Sequence, residues 1–147
     1  MGYTVKPADE YIGLGVSAIG FLENTFIQNY KTINDYYRLL KENTLPVERG
    51  MMLSQDDQIR QWVINSLMCQ FQIDKEEFFK RFKTHFDDYF GYETEHLKKC
   101  ARDELIHLSE GFIAVTDFGK IFIRNVCMGF DWYLRQTNAH KKFSRTI

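Results

Sequence analysis

The chain has 147 residues, of which 44% are hydrophobic and 16% aromatic, and this suits one compact domain with a well-filled core. A net charge of −1 at pH 7 provides no basic surface of the kind that attracts nucleic acid or an anionic membrane, so we expect neither as a partner. No apolar run approaches the length of a transmembrane span, and no signal peptide is visible.

The cysteines and histidines are the side chains best suited to bind a metal or to act as nucleophiles. Cys69, Cys100 and Cys127 are separated by 31 and 27 residues and lie in helical patterns. This arrangement predicts reduced thiols in the core of a cytoplasmic protein and not a disulfide framework. No two histidines form an i, i+4 pair, and we expect none to lie at ligand spacing from a cysteine. We therefore predict no metal site and no catalytic residue in this chain.

The N-terminal part contains one apolar run, Tyr11–Gly20, which includes Gly13, Gly15 and Gly20. So many glycines disfavour a helix. The run therefore predicts a buried strand that another backbone or a ligand approaches closely.

Helical periodicity dominates the middle of the chain. We predict helices over residues 31–43, 74–83 and 86–102. Another helix begins after Ser54, which is followed by an acidic first turn and therefore reads as an N-cap. Residues 47–53 are predicted to connect the first helix to this one.

A hairpin and a last helix complete the predicted elements. Residues 105–115 form two short apolar segments around a turn that contains Gly111, which indicates a β-hairpin. Thr116 is predicted to cap a long terminal helix. The fold class is therefore mainly α (α+β), with a winged-helix-like arrangement and an N-terminal strand segment. A DNA-binding winged helix is disfavoured, because the predicted wing and the helix before it are acidic.

The terminal helix is apolar on nearly every face, which predicts that it lies deep in the core. At 100° per residue, Lys120, Arg124, Asp131 and Arg135 fall within a stripe of about 60°. Charges on a buried helix must meet internal carboxylates or an anionic ligand. For Arg124 and Arg135 the internal carboxylate is the favoured partner.

Separated motifs along the whole chain carry a resemblance to a known family. The motifs are Gly2–Thr4, Gly15–Ile19, Gln28–Asn29, Arg49–Gly50, Asp56–Arg60, Asp87–Phe90, Ile123–Met128, Phe130–Gln136 and Phe143–Arg145. In this order they resemble the C-terminal part of the oxygen-independent coproporphyrinogen III oxidases, which are radical S-adenosylmethionine (SAM) enzymes of haem biosynthesis.

The resemblance implies two regions. Residues 1–45 would be an incomplete C-terminal edge of the radical SAM barrel, and residues 46–147 would be the helical C-terminal domain, with hairpin 105–115, that covers the active site. Ile19 would lie beside bound SAM. The parent enzyme would hold a [4Fe–4S] cluster and SAM, but the cysteines here lack the C-x-x-x-C-x-x-C spacing of the cluster loop. We expect no such cofactor in this fragment, and no catalysis by it alone.

The resemblance also implies a substrate. The family converts two propionates of coproporphyrinogen III to vinyl groups by oxidative decarboxylation, which yields protoporphyrinogen IX. A tetracarboxylate needs cations, and the planar fork of arginine suits a carboxylate best. The candidate substrate-binding residues are Arg49, Arg124, Arg135 and Arg145. We favour Arg49 and Arg145 as the two that face the substrate cavity.

Two further hypotheses follow from this resemblance. One alternative function is that of a non-catalytic haem- or porphyrin-binding relative, although Phe130–Arg135 and Phe143–Arg145 are typical of the oxidases. If the rest of a barrel is absent, residues 11–19 expose apolar surface and strand edges. We therefore predict that this segment pairs with a second copy of the chain, folds onto the helical domain or becomes disordered.

Overall fold

The structure, a computed structural model, describes residues 10–136. The chain divides into an N-terminal unit, which ends at Gln58, and a C-terminal unit, which begins at Ile59. Helices predominate over two small antiparallel sheets, which confirms the predicted fold class. None of the helices in this part of the chain is long and apolar enough to cross a membrane.

The N-terminal unit is built around a three-stranded antiparallel sheet. Its strands are β1 (Ile19–Leu22), β2 (Thr25–Asn29) and β3 (Val47–Met52), in the order β1-β2-β3. Helix α1 (Ile33–Lys41) lies between β2 and β3 in sequence, within the predicted helix. The prediction that residues 47–53 form only a connection is wrong, because these residues contain β3, which pairs with β2. Helix α1 separates the two strands in sequence, so the local sequence of β3 does not indicate its partner.

The predicted buried strand over Tyr11–Gly20 is also wrong, because the middle of this run forms a loop. The side chains of Ile12 and Leu14 are 71% and 87% exposed. A Cβ at Gly13 would lie 2.7 Å from the carbonyl carbon of Ile19, so another stretch of backbone does approach closely, but without a regular ladder. Self-association through this segment stays a prediction.

Helix α2 (Gln55–Gln70) begins with a reciprocal cap. The backbone N–H of Asp57 donates to Ser54 Oγ over 3.1 Å, and the backbone N–H of Ser54 donates to Asp57 Oδ2 over 2.9 Å. Each bond satisfies a backbone donor that has no partner inside the helix. The predicted N-cap at Ser54 is confirmed.

The C-terminal unit continues with short elements. In chain order they are β4 (Gln72–Asp74), α3 (Lys75–Phe82), α4 (Phe86–Tyr89), a 3₁₀ turn (Gly91–Glu93), α5 (Thr94–Arg102), β5 (Ile106–Leu108), β6 (Phe112–Val115), α6 (Asp117–Ile121), α7 (Ile123–Met128) and α8 (Trp132–Gln136). Strands β5 and β6 confirm the predicted hairpin. Strand β4 was not predicted, because three residues carry no alternation; it adds to β6 and gives a sheet of order β4-β6-β5.

Phenylalanines from three separate segments form the centre of this unit. Phe78, Phe86, Phe90 and Phe130 are each at most 2% exposed. Ring centroids lie 5.3 Å apart for Phe78 and Phe86, and 5.1 Å apart for Phe90 and Phe130. Each such ring contributes roughly 1.5–3 kcal/mol by leaving water. Phe130 thus attaches the C-terminal segment to the core.

Two predicted helices are interrupted. The helix predicted over residues 86–102 is divided into α4, the 3₁₀ turn and α5, and the turn carries Glu93 into the interior. The long terminal helix is divided into α6, α7 and α8. Apolar residues recur at helical spacing through these breaks, so their periodicity does not predict where the helices end.

The predicted deep burial of the terminal helix is wrong as well. Phe118, Ile121 and Tyr133 are 55%, 75% and 53% exposed. The predicted cap is confirmed, because Thr116 Oγ1 accepts a hydrogen bond of 2.8 Å from the backbone N–H of Gly119. Helices α6 and α7 bury residues on one side only, and α8 buries none, so many apolar side chains of these helices face outward.

Gly119 provides a test of the packing between α6 and the segment before β5. A Cβ at this position would lie 1.9 Å from the carbonyl oxygen of Leu105. We therefore expect Gly119→Ala to lower the free energy of unfolding by at least about 2 kcal/mol in urea denaturation. Gly91→Ala is the matched control, because its Cβ would meet no atom within 4 Å. Equal stability of the two variants would contradict the packing described.

Candidate functional site

The sheet of the N-terminal unit brings two predicted site residues into one row. Ile19 of β1 pairs with Gln28 of β2, and Gln28 pairs with Arg49 of β3. Directly paired residues project from the same face, so all three lie on one side of the sheet. With strands about 4.8 Å apart, the Cα atoms of Ile19 and Arg49 are about 10 Å from each other.

Arg49 is oriented by a neutral partner. Its Nε and Nη2 donate to Gln28 Oε1 over 2.8 and 2.6 Å. Arg49 is exposed and has no ion-pair partner among residues 10–136. Its positive charge is therefore fixed in position but not neutralised, as recognition of an anion requires.

The same face carries an apolar row beside this cation. Phe21 pairs with Phe26, and Phe26 pairs with Met51. The rings of Phe21 and Phe26 have centroids 4.7 Å apart. Ile19 and Met51 are 52% and 45% exposed. A cation beside exposed apolar side chains suits a ligand that combines carboxylates with an apolar body.

The C-terminal unit holds a buried carboxylate between two arginines. Glu93 is 1% exposed, and its Oε1 lies 2.8 Å from Arg60 Nη1 and 3.0 Å from Arg135 Nη2. Arg60 Nη1 also donates to the carbonyl oxygen of Phe130 over 3.2 Å, and Arg135 Nη2 donates to that of Gly129. One carboxylate thus contacts two cations, and both cations bind the turn after α7.

Aromatic rings enclose Arg60 of this cluster. Its guanidinium carbon lies 5.5 Å from the ring centroid of Phe90 and 5.5 Å from that of Trp132. Such cation–π contacts strengthen where water is excluded. They bring Trp132, the first residue of α8, onto the same cluster.

The cationic stripe predicted for a single terminal helix does not exist, because the helix is broken. Arg135 pairs with an internal carboxylate, as favoured, and that carboxylate is Glu93. Asp131 accepts a hydrogen bond of 2.9 Å from the backbone N–H of Leu134 at the start of α8. Lys120 Nζ lies 2.7 Å from Asp117 Oδ1.

The other two arginine predictions have different outcomes. Arg124 is exposed, and no hydrogen bond or ion pair ties it to another residue within 10–136, so the favoured internal carboxylate is not found there. Arg145 lies outside the described residues, and its role stays a prediction. Roles in substrate or SAM binding for Ile19, Arg49, Arg124 and Arg135 likewise stay predictions.

A cavity of about 440 Å³ opens between α5, α7 and α8. Its lining combines cationic, polar and apolar side chains: His96, Lys99, Cys100, Asp103, Leu105, Asn125, Met128, Gly129, Leu134 and Arg135. Arg135 is thus shared between the buried cluster and the cavity wall.

One histidine lies closer to a cysteine than we expected from the sequence. His96 and Cys100 are one helical turn apart, with 3.5 Å between Nε2 and Sγ, and His96 Nε2 also lies 3.1 Å from the carbonyl oxygen of Val126. The expectation that no histidine lies at ligand spacing from a cysteine is therefore wrong. Among residues 10–136, however, no group of three His, Cys, Asp or Glu side chains is placed to hold a metal ion.

Burial suppresses the reactivity of two thiols. Burial raises the pKa of the Cys127 thiol to about 12, and burial also raises the pKa of the Cys100 thiol. Both remain protonated near neutral pH, because desolvation penalises the thiolate. Neither has the thiolate character of a nucleophile or a metal ligand.

Three residues that position the site were not predicted from the sequence: Gln28, which holds Arg49, and Arg60 and Glu93 of the buried cluster. Gln28 and Arg60 lie within motifs already noted for the resemblance, so that signal was available for both. Glu93 had none, because a single glutamate in a helical pattern reads as a surface residue.

The shared carboxylate provides a stability test. Glu93→Gln removes the buried charge that pairs with both Arg60 and Arg135, so we expect the free energy of unfolding to fall by about 3 kcal/mol. Glu95→Gln is the control; its pair with Lys98 leaves the two side chains 80% and 58% exposed, and its loss should cost less than about 1 kcal/mol. Urea denaturation measures both, and indistinguishable variants would refute the role given to Glu93.

Comparisons with known proteins extend these observations. Residues 53–122 match the family model of the HemN C-terminal domain. The chain is 40% identical to the oxygen-independent coproporphyrinogen III oxidase of Escherichia coli (strain K12), over 99% of this chain and 32% of that protein. It is 37% identical to the oxidase of the same name from Synechocystis, again over 99% of this chain and 32% of the relative.

A solved structure agrees with this result. The coproporphyrinogen III oxidase (HemN) from Escherichia coli, described as a radical SAM enzyme, is similar with a TM-score of 0.80 and 38% identity. The similarity covers 85% of this chain and 29% of that one. The chain thus spans about a third of the length of these relatives. As the motifs predicted, it is similar along nearly its whole length to part of the oxygen-independent coproporphyrinogen III oxidases, and its residues 53–122 match their HemN C-terminal domain.

Proposed function

We propose that this chain is the substrate-covering C-terminal part of an oxygen-independent coproporphyrinogen III oxidase, which converts coproporphyrinogen III to protoporphyrinogen IX in the cytoplasm. The observation that carries the proposal is the row formed by Ile19, Gln28 and Arg49, in a chain similar to these oxidases over 99% of its length. The row sets an un-neutralised cation beside an apolar face, and the substrate combines four carboxylates with an apolar macrocycle.

Each residue of the row has a distinct role in this proposal. Arg49 donates from its guanidinium to a propionate carboxylate, and Gln28 holds the guanidinium in place through Nε and Nη2. Nη1 of Arg49 has no partner among residues 10–136 and is the edge offered to the ligand. Ile19, two strands away, provides the apolar contact with SAM that the resemblance implies.

The domain assignment stays part of the proposal. Residues 1–45 are the edge of the catalytic barrel, and residues 46–147 are the covering domain. Because β3 pairs with β2, Arg49 lies on the same sheet as Ile19 although it follows the proposed boundary. A residue of the covering domain can therefore act beside the barrel edge.

The chemistry of the cofactors belongs to the remainder of such an enzyme. A [4Fe–4S] cluster with SAM supplies the radical that removes hydrogen from the propionate side chain. The described thiols do not fit this group, because Cys69, Cys100 and Cys127 lie on three different helices and burial raises the pKa of Cys100 and Cys127. In this proposal the chain contacts the substrate and SAM, and it takes no part in the chemistry of the cluster.

A chimera tests the proposal. The matching third of the Escherichia coli oxidase is replaced by this chain, and the anaerobic conversion of coproporphyrinogen III is measured with SAM and a reductant. We expect a folded, cluster-loaded and active chimera. A chimera that folds and loads its cluster but converts no substrate would contradict the proposed function, and haem binding by that inactive protein would favour the porphyrin-binding alternative.

A substitution in the active chimera tests the cation. Arg49→Gln should lower kcat/KM about tenfold or more, because one charge-assisted hydrogen bond is lost. Arg38→Gln is the matched control in the same unit, since Arg38 forms only exposed pairs with Asp35 and Glu42. The assignment of Arg49 fails if both variants keep the parental kcat/KM.

A further inference from the structure

The cavity between α5, α7 and α8 has the composition of a carboxylate-binding site. Lys99, Asn125 and Arg135 supply hydrogen-bond donors to its lining, and Met128 and Leu134 supply apolar surface. A volume of about 440 Å³ lies within the range of small-molecule sites. This volume accommodates an acidic side arm together with part of the ring that bears it.

The guanidinium of Arg135 is fixed with donors to spare. Both of its hydrogen bonds within residues 10–136 use Nη2, which donates to Glu93 Oε1 and to the carbonyl oxygen of Gly129. Arginine has five N–H donors, so those on Nε and Nη1 remain for a ligand. Because Arg135 lines the cavity and its Nη2 is held by a buried carboxylate, little conformational entropy is lost when an anion binds there.

The charges around the cavity favour an anion. Glu93 Oε1 contacts both Arg60 and Arg135, and the donors on Nε and Nη1 of Arg135 remain for a second carboxylate. Lys99 is exposed and has no hydrogen bond or ion pair within residues 10–136. Within residues 10–136, Asp103 is the one acidic residue that lines the cavity, and it offsets only part of this charge.

We propose that this cavity binds a propionate carboxylate of a tetrapyrrole, with Arg135 and Lys99 as the cationic contacts and Asn125 as a neutral donor. Glu93 is the positioning residue that holds Arg135 at the wall. The identity of the ring rests on the proposed function, whereas the preference for a carboxylate rests on the cavity itself. Arg49 belongs to the other unit and is not part of this proposal.

The experiment uses the whole chain and coproporphyrin III, the stable oxidised form that bears the same four propionates. Its Kd is measured by fluorescence titration at low ionic strength. Lys99→Gln should weaken binding about five- to tenfold, as expected for one partly exposed charge-assisted contact. Lys98→Gln is the matched control, because Lys98 is the preceding residue, pairs with Glu95 and does not line the cavity. Its Kd should not change.

Two further measurements make the outcome decisive. The tetramethyl ester of coproporphyrin III, in which the carboxylates are blocked, should bind the wild-type chain no better than it binds Lys99→Gln. Displacement of coproporphyrin III by millimolar inorganic phosphate, in a manner that depends on Lys99, would instead identify a general anion site and overturn the tetrapyrrole assignment.

The failure of this inference is distinguishable from failure of the proposed function. If Lys99→Gln binds coproporphyrin III as tightly as Lys98→Gln does, the cavity is not the site, while an active chimera still supports the oxidase assignment. If the wild-type chain binds no coproporphyrin III, the cavity proposal is overturned, and the chimera alone decides the function. Porphyrin binding that depends on Lys99 in an inactive chimera supports the cavity and removes the oxidase assignment.

Discussion

The carboxylate of Glu93 is the constraint on which the C-terminal unit depends. A buried charge is costly unless it is paired and hydrogen-bonded, and this one is shared by Arg60 and Arg135. The three side chains join α2, the 3₁₀ turn and α8, and the two arginines also bind carbonyl oxygens of the turn after α7. Helix α8 has no buried residue of its own, and these polar contacts, together with Trp132 over Arg60, contribute to its attachment.

The hydrogen bonds that hold Arg135 and Arg49 also leave part of each guanidinium available for a ligand. Arg135 shares its carboxylate with Arg60 and keeps donors on Nε and Nη1, and Arg49 is held by the neutral amide of Gln28. Both are fixed by hydrogen bonds, which reduces the conformational entropy lost when an anion binds. The proposed roles of Arg49, Arg135 and Lys99 in binding carboxylates rest on this availability.

The sequence predicted features that are encoded locally. Ser54 and Thr116 are caps because side chain and backbone donor are three residues apart, and the hairpin around Gly111 is a local turn. Pairing across the chain was not predictable in this way: β3 and β4 acquire their strand character from distant partners. The breaks in the terminal helix were also not predicted, because apolar residues recur through them at helical spacing. Arg135 was correctly expected to meet an internal carboxylate, but not Glu93, which no motif had marked.

The central claim is that Glu93 fixes Arg135 as a carboxylate receptor at the wall of the cavity. A crystal structure of the chain with coproporphyrin III tests this claim most directly. We expect one propionate carboxylate within about 3.2 Å of Nε or Nη1 of Arg135 and near Nζ of Lys99, with the bond from Nη2 to Glu93 retained. Porphyrin density elsewhere on the chain, with the cavity filled only by solvent, would contradict the account.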